Sequence, residues 1–247
     1  MASVLSAASL VQAGAAPALS SWLDCLEGET STSIRACSAI IDARDVGARE
    51  LSRAYHQRAR ALARLKKHKA VIDDLNTSIR LHSKKNPRLE SLFIRGRSHL
   101  AEGDTKAALA DFDRLIKRDS TSMLPYLFRA EAHLANGDAK LALNDFARAI
   151  ALAPDSGKPL YLRARAYVFL GNNTDAIADL NTLLTRFPTH LNALYWRGTL
   201  LSRMGLHDEA IRDLTAGPNR NRPNPAETVF RTWRRVWTSG SAQRGCR

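Results

Sequence analysis

Apolar residues along the chain recur at intervals of three and four, and the stretches that carry them recur in turn. Phe93-Ile94-Arg95-Gly96, Leu127-Phe128-Arg129-Ala130, Tyr161-Leu162-Arg163-Ala164 and Tyr195-Trp196-Arg197-Gly198 follow one another every 34 residues, and His56-Gln57-Arg58-Ala59 precedes the first by 37. Sixteen residues after each Arg stands an Asp: Asp74, Asp111, Asp145, Asp179 and Asp213. Val71, Ala108, Ala142, Ala176 and Ala210 stand just before that column, and Leu75, Phe112, Phe146, Leu180 and Leu214 just after it. A three-to-four spacing is the helical period, and its return at a fixed longer interval marks a stack of like units. Each unit predicts two helices. Gly103-Asp104, Gly137-Asp138 and Gly171-Asn172 divide its two apolar stretches. Gly ends the first helix, and Asp or Asn accepts the free N–H groups opening the second. Pro154 and Pro188 close the second helix in two units. Small residues at Ala59, Gly96, Ala130, Ala164 and Gly198 permit close helix approach. One helix pair cannot bury its apolar face alone, so the units must stack into an all-α array.

These columns resemble the tetratricopeptide repeat, a 34-residue helix-turn-helix unit. The small residue of the first helix, the turn Gly, the Ala opening the second helix, the following Phe or Leu and the closing Pro all fit its pattern. The resemblance implies a right-handed α-solenoid of about five units over residues 51–224, binding partner proteins in its concave groove. Two units depart from the pattern. The first has Lys66-Lys67 where Gly-Asp is expected and three extra residues near Ser83 to Pro87; the fifth breaks at Gly217-Pro218.

The two ends read differently. Residues 1–20 are rich in Ala, Ser, Val and Leu and carry no side-chain charge, like the apolar part of a secretory signal without its basic leading segment. A disordered leader is the other reading. Residues 21–50 predict a helical hairpin that caps the first repeat, with Ile34, Cys37, Ile40 and Ile41 on one face. Trp22 and Cys25, followed by Ile34-Arg35-Ala36-Cys37-Ser38-Ala39-Ile40-Ile41, resemble the start of exported tetratricopeptide-repeat proteins of alphaproteobacteria. That resemblance implies a Cys25–Cys37 disulfide and a periplasmic or secreted location. Two buried thiols in a cytoplasmic protein remain the alternative. At the far end, Asn224-Pro225-Ala226-Glu227 predicts a helix start, and Val229, Phe230, Trp233, Val236 and Trp237 share one face. Residues 225–238 are therefore expected to cap the last repeat, with 239–247 as a disordered tail. Arg231, Arg234 and Arg235 on the other face also suit an anionic membrane surface.

Charge narrows the choice of partner. The formal net charge is +13, and residues 51–247 carry +16 of positive charge against −3 for residues 1–50. Such a field favours acidic partners. Three Cys in 247 residues are too few for a disulfide scaffold, and no stretch after residue 22 has the apolar length of a membrane span. Catalysis finds no support: there is no phosphate-cradling Gly-rich loop, no His-Glu-x-x-His pair and no Cys/His ligand cluster. No cofactor or metal site is read. His99 and His133, 34 apart with Tyr167 next, mark a packing column, and Asp73-Asp74 reads as a solvated face. The Arg and Asp columns, opposite in sign and in step, predict a structural ladder of ion pairs.

The resemblance places the groove two residues before and two after each Arg of the column. Those positions are His56 and Arg60, Phe93 and Arg97, Leu127 and Glu131, Tyr161 and Arg165, Tyr195 and Thr199. Apolar or aromatic side chains there alternate with Arg. The expected function is a non-enzymatic scaffold that takes an acidic, partly apolar peptide segment into the groove. RNA or single-stranded nucleic acid is the alternative, on the strength of the charge and the aromatics, and Glu131 disfavours it. The family's carboxylate clamp needs Lys and Asn at particular groove positions that this chain does not reproduce.

Overall fold

A computed structural model describes residues 19–82 and 87–216. The leader expected over 1–20 falls outside them apart from Leu19 and Ser20, as do residues 83–86 of the stretch Ser83 to Pro87. The capping helix expected over 225–238 and the tail over 239–247 also lie outside the described residues.

Among the described residues there are twelve α-helices and no strand, an all-α repeat fold. They are α1 Leu19–Glu27, α2 Thr30–Ala43, α3 Ala48–Arg64, α4 His68–His82, α5 Leu89–Ala101 and α6 Thr105–Arg118. Then come α7 Met123–Asn136, α8 Ala139–Leu152, α9 Gly157–Phe169, α10 Asn173–Arg186, α11 Leu191–Arg203 and α12 His207–Thr215. The chain divides into two compact units, Met1–Ser98 and His99–Arg247.

The turns explain why each hairpin folds where it does. Gly103, Gly137, Gly171 and Gly205 all take φ between 76° and 88°, the left-handed region in which a Cβ is strained. Lys66 occupies the same conformation at φ 56° without being Gly. Asp104 accepts the Ala107 N–H at 3.0 Å and Asn172 accepts the Asp175 N–H at 3.3 Å. Asp138 does not cap α8; the Asn136 side-chain amide occupies its carboxylate instead.

In the first unit, α1 packs on α2, α2 on α3 and α3 on α4. Its core gathers Cys25, Cys37, Ile40, Ile41 and Ala54 at one end and Ala59, Leu62, Val71 and Leu75 at the other. Ser52 and Ser78 tie α3 to α4 by donating to each other's backbone carbonyls, at 2.8 and 2.7 Å. Sγ of Cys25 and Cys37 are bonded to each other, with Cα atoms 4.8 Å apart. The Ser33 hydroxyl donates to the Cys25 carbonyl at 2.8 Å.

In the second unit the hairpins α7–α8, α9–α10 and α11–α12 stack, with α8 against α9 and α10 against α11. Phe146, Leu180, Leu183 and Leu200 are sealed in its core. Each such side chain contributes about 1.5–3 kcal/mol relative to exposure. The last position of that column behaves differently: Leu75, Phe112 and Phe146 are 0% exposed and Leu180 is 1%, whereas Leu214 is 44%.

Candidate functional site

The Arg and Asp columns come together as ion pairs in both units. Nε and Nη2 of Arg58 grip Asp74 at 2.8 and 2.7 Å. Arg129 holds Asp145, and Arg163 holds Asp179, at the same distances. Arg197 holds Asp213 at 2.7 Å through both nitrogens. The aspartates are buried and the guanidiniums about one-fifth exposed. These contacts hold the guanidiniums above their ordinary pKa, most of all Arg129, which also donates to Asp113. The third nitrogen reaches backwards: Arg58 Nη1 to Ser38 on α2, Arg95 Nη1 to Asn76 on α4, Arg197 Nη1 to Asn181 on α10. Arg58, Arg129 and Arg197 thus each tie their own hairpin to the helix before it. Ser38 stands to Arg58 as Asn76 stands to Arg95, so α2 takes the place of a repeat's second helix. That register aligns Cys37, 0% exposed, with the buried column of Leu75, Phe112, Phe146 and Leu180. The reading of Asp73-Asp74 as a solvated face is correct for Asp73 only; Asp74 is 5% exposed and paired.

The expected groove residues split by burial. His56 and Leu127 are not surface residues, which corrects two of the sequence-based site positions. His56 is 4% exposed, with Nδ1 2.9 Å from the Ser91 hydroxyl and Nε2 3.2 Å from Glu90. Burial pushes its pKa below the ordinary value, outweighing the nearby Glu90. Leu127 is fully buried in the α7–α8 core because that hairpin closes over it. Glu90, at the start of α5, was missed by the sequence reading. It takes Arg60 as well, at 3.0 Å from Nε, so the charge expected at Arg60 is largely met within the protein. Arg97 lies over the Phe93 ring at 5.7 Å.

The second unit brings more of the expected positions onto one surface. Tyr161 and Arg165 share a face of α9, with the Arg165 guanidinium 5.6 Å from the Tyr161 ring centre. Tyr195 and Thr199 lie on α11, and the Thr199 hydroxyl donates to the Tyr195 carbonyl. Burial raises the Tyr161 pKa, more than the neighbouring Arg165 lowers it. His190 packs on the same ring at 5.4 Å between centroids. Its Nδ1 accepts the Ala193 N–H at 3.1 Å and so caps α11. Lys158, one turn before Tyr161, lies 5.1 Å from the Phe128 ring of α7. Glu131 is half-buried on α7. His190 and Lys158 were missed by the sequence reading. Lys158 falls in step with Leu124 and Asn192, 34 residues away on either side, a column legible in the sequence but varied in chemistry.

Among the described residues no group of three or more His, Cys, Asp or Glu is placed to hold a metal ion. No described helix is long and apolar enough to cross a membrane.

Stacked helical hairpins with left-handed turn glycines, a small residue facing the second helix and a buried Ala-x-x-Asp-Phe/Leu column define a helical-repeat protein. The family model for the tetratricopeptide repeat matches residues 93–157 and 161–221, just over half of the chain, and the chain belongs to that family. Proteins of this family are generally scaffolds for protein interaction. Among solved structures, the crystal structure of MamA protein is 20% identical, with a TM-score of 0.58 over 68% of this chain and 90% of that one. MamA 41-end from Desulfovibrio magneticus RS-1 is 20% identical, with a TM-score of 0.59 over 66% and 91%. The C-terminal part of a repeat-containing protein from Cytophaga hutchinsonii is 15% identical, with a TM-score of 0.67 over 79% and 76%. At these identities the likeness concerns the fold. No curated protein matches the chain.

Proposed function

We propose that the chain is a non-enzymatic scaffold that binds an acidic, partly apolar peptide segment on the face presented by the first helices of its hairpins. The observation that carries this reading is the surface of the second unit where Arg165 and His190 both lie against the Tyr161 ring. A planar guanidinium offers a donor fork matched to a carboxylate, and rigid rings add apolar contact at low entropy cost. The excess of positive charge would draw such a partner in, less strongly as salt rises. Glu131 on α7 disfavours a uniformly anionic strand, which favours a peptide over the alternative of single-stranded nucleic acid. The Cys25–Cys37 bond supports an oxidising compartment, the periplasm or the exterior, as the site of action.

The test is a pull-down with and without nuclease, followed by fluorescence anisotropy of the recovered partner's peptide. Tyr161→Ala combined with Arg165→Ala is expected to weaken that peptide by about 2–4 kcal/mol at moderate salt. Capture that disappears with nuclease would instead support the nucleic-acid reading.

A further inference from the structure

Among the first helices of the described repeats, α3 alone starts early. It begins eight residues before His56, whereas α5, α7, α9 and α11 begin four residues before Phe93, Leu127, Tyr161 and Tyr195, the equivalent positions. The difference is about one helical turn. That added turn carries Arg49 and extends a stripe of Arg49, Arg53, His56 and Arg60, at intervals of four, three and four. The start of α5 lies across the far half of the stripe: Ser91 and Glu90 engage His56 at 2.9 and 3.2 Å, and Glu90 takes Arg60 at 3.0 Å. Arg88 immediately precedes α5, and its carbonyl accepts the Leu92 N–H at 3.2 Å. Arg49, Arg53 and Arg88 are thus gathered at the near end, the first two exposed and the third half-buried. Burial first, then repulsion by Arg53 and Arg49, holds the Arg88 guanidinium below its ordinary pKa, against a smaller pull from Glu90. Among the described residues no side chain hydrogen-bonds or ion-pairs with these three guanidinium groups. Glu50, the acid beside Arg49, turns back over Gly47, its Oε2 2.8 Å from where a Cβ on that glycine would stand. The charges are also of the wrong sign for the helices. Arg49 lies in the first turn of α3 and Arg88 at the cap of α5, where the helix dipole favours an acid. The first helices of the second unit have Ser122, Ser156 and His190 at that cap. Three like charges so placed cost stability in the free protein, and an anion bound among them removes the cost.

We propose that Arg49, Arg53 and Arg88 form a site in the first unit for a run of neighbouring carboxylates on the partner peptide. Glu90 shows the chemistry further along the same stripe, where one carboxylate reaches both Arg60 and His56. The near end repeats that arrangement of donors without an acid of its own. Guanidinium forks on three separate stems suit two or three carboxylates spaced along a chain, as in Glu-Glu-Asp. Glu90 beside Arg88 repels a dianionic phosphate more than it repels a single carboxylate. This rests on the peptide-scaffold reading and adds to it the place where the acidic part of the partner is held.

The experiment uses the full chain and the fluorescein-labelled peptide Ala-Glu-Glu-Asp-Ala-Trp-Leu, with Ala-Gln-Gln-Asn-Ala-Trp-Leu as its amide counterpart, read by anisotropy at low and moderate salt. The acidic peptide is expected to bind about tenfold tighter than the amide one. Arg53→Ala and Arg88→Ser are each expected to weaken the acidic peptide about threefold and together about tenfold, with the amide peptide unaffected. Arg88→Ser, which installs the residue found at Ser122 and Ser156, is also expected to raise the thermal midpoint of the free protein by about 2–4 °C. Acidic-peptide binding that survives the double substitution but is lost in Tyr161→Ala with Arg165→Ala would overturn this site and leave the peptide-scaffold reading standing. An unchanged or lower midpoint in Arg88→Ser would overturn it too, since the cluster would then serve the fold. Displacement of the acidic peptide by an equal concentration of inorganic phosphate, at matched ionic strength, would overturn the assignment to carboxylates. Failure of both peptides to bind the parent would overturn the site and the reading beneath it.

Discussion

Two neighbouring aspartates show how much a single position decides. Asp73 is exposed, whereas Asp74 is 5% exposed and accepts two hydrogen bonds from Arg58. Asp74→Asn removes the charge that offsets a partly buried guanidinium and is expected to cost about 2–3 kcal/mol, against under about 0.5 for Asp73→Asn. Urea midpoints of the two variants measure this, and equal midpoints would contradict a structural ladder. His56 adds a pH dependence with a definite sign. Its pKa in the folded protein is lowered by burial, beside Glu90, Arg88 and Arg60, so the unfolded chain takes up the proton first as pH falls. Stability is therefore complete above the ordinary value of 6.5 and declines as pH drops below it through the folded-state value. Between pH 7.5 and 5.5 the parent is expected to lose stability more steeply than His56→Gln. Identical slopes would assign the dependence to another group.

At the scale of the helix pair, the turn residue and the small residue set how tightly a hairpin closes. Lys66 takes the left-handed backbone that Gly103, Gly137, Gly171 and Gly205 take elsewhere. Lys66→Gly is expected to stabilise the protein by about 0.5–1 kcal/mol, and Gly137→Ala to destabilise it by a similar amount. Thermal midpoints moving in opposite directions would establish this. At Gly198 the reason for a glycine is contact with neighbours: a Cβ there would meet Leu214 Cγ at 2.8 Å and the Ala210 carbonyl at 3.1 Å. Gly198→Ala is expected to cost about 1–2 kcal/mol, although Ala fills the same column at Ala59, Ala130 and Ala164. An unchanged urea midpoint would mean that α12 yields without strain.

For the molecule as a whole, the covalent link and the charge matter most. The Cys25–Cys37 bond spans a sequence separation of 12 and joins α1 to the helix that occupies a repeat's second position. Loss of the bond by Cys37→Ser is expected to destabilise the protein by about 3 kcal/mol, mainly by freeing the unfolded chain. Thiol counting on non-reduced protein from its native compartment checks the bond itself; two free thiols at Cys25 and Cys37 would remove it. With +13 of net charge, binding of an acidic probe is expected to weaken steadily with salt, as anisotropy titrations at several ionic strengths would report.

The repeat was legible in the sequence because packing inside each hairpin is local and identical from unit to unit. A small residue, a turn Gly and an Arg–Asp pair must recur at a fixed spacing if the same contact is made each time. The fold class and the ladder follow from that recurrence alone. The proposed interaction face was legible only in part, because exposure depends on what each first helix meets. His56 and Leu127 share the register of Tyr161 and Tyr195, yet Ser91 and Glu90 enclose one and the α7–α8 core takes the other. Likewise, Arg60 and Arg165 are alike in the sequence, but Glu90 engages the first while the Tyr161 ring supports the second. Recurrence along the chain determined which residues carry the fold; the neighbours brought close by folding decided which of the first-helix positions are buried.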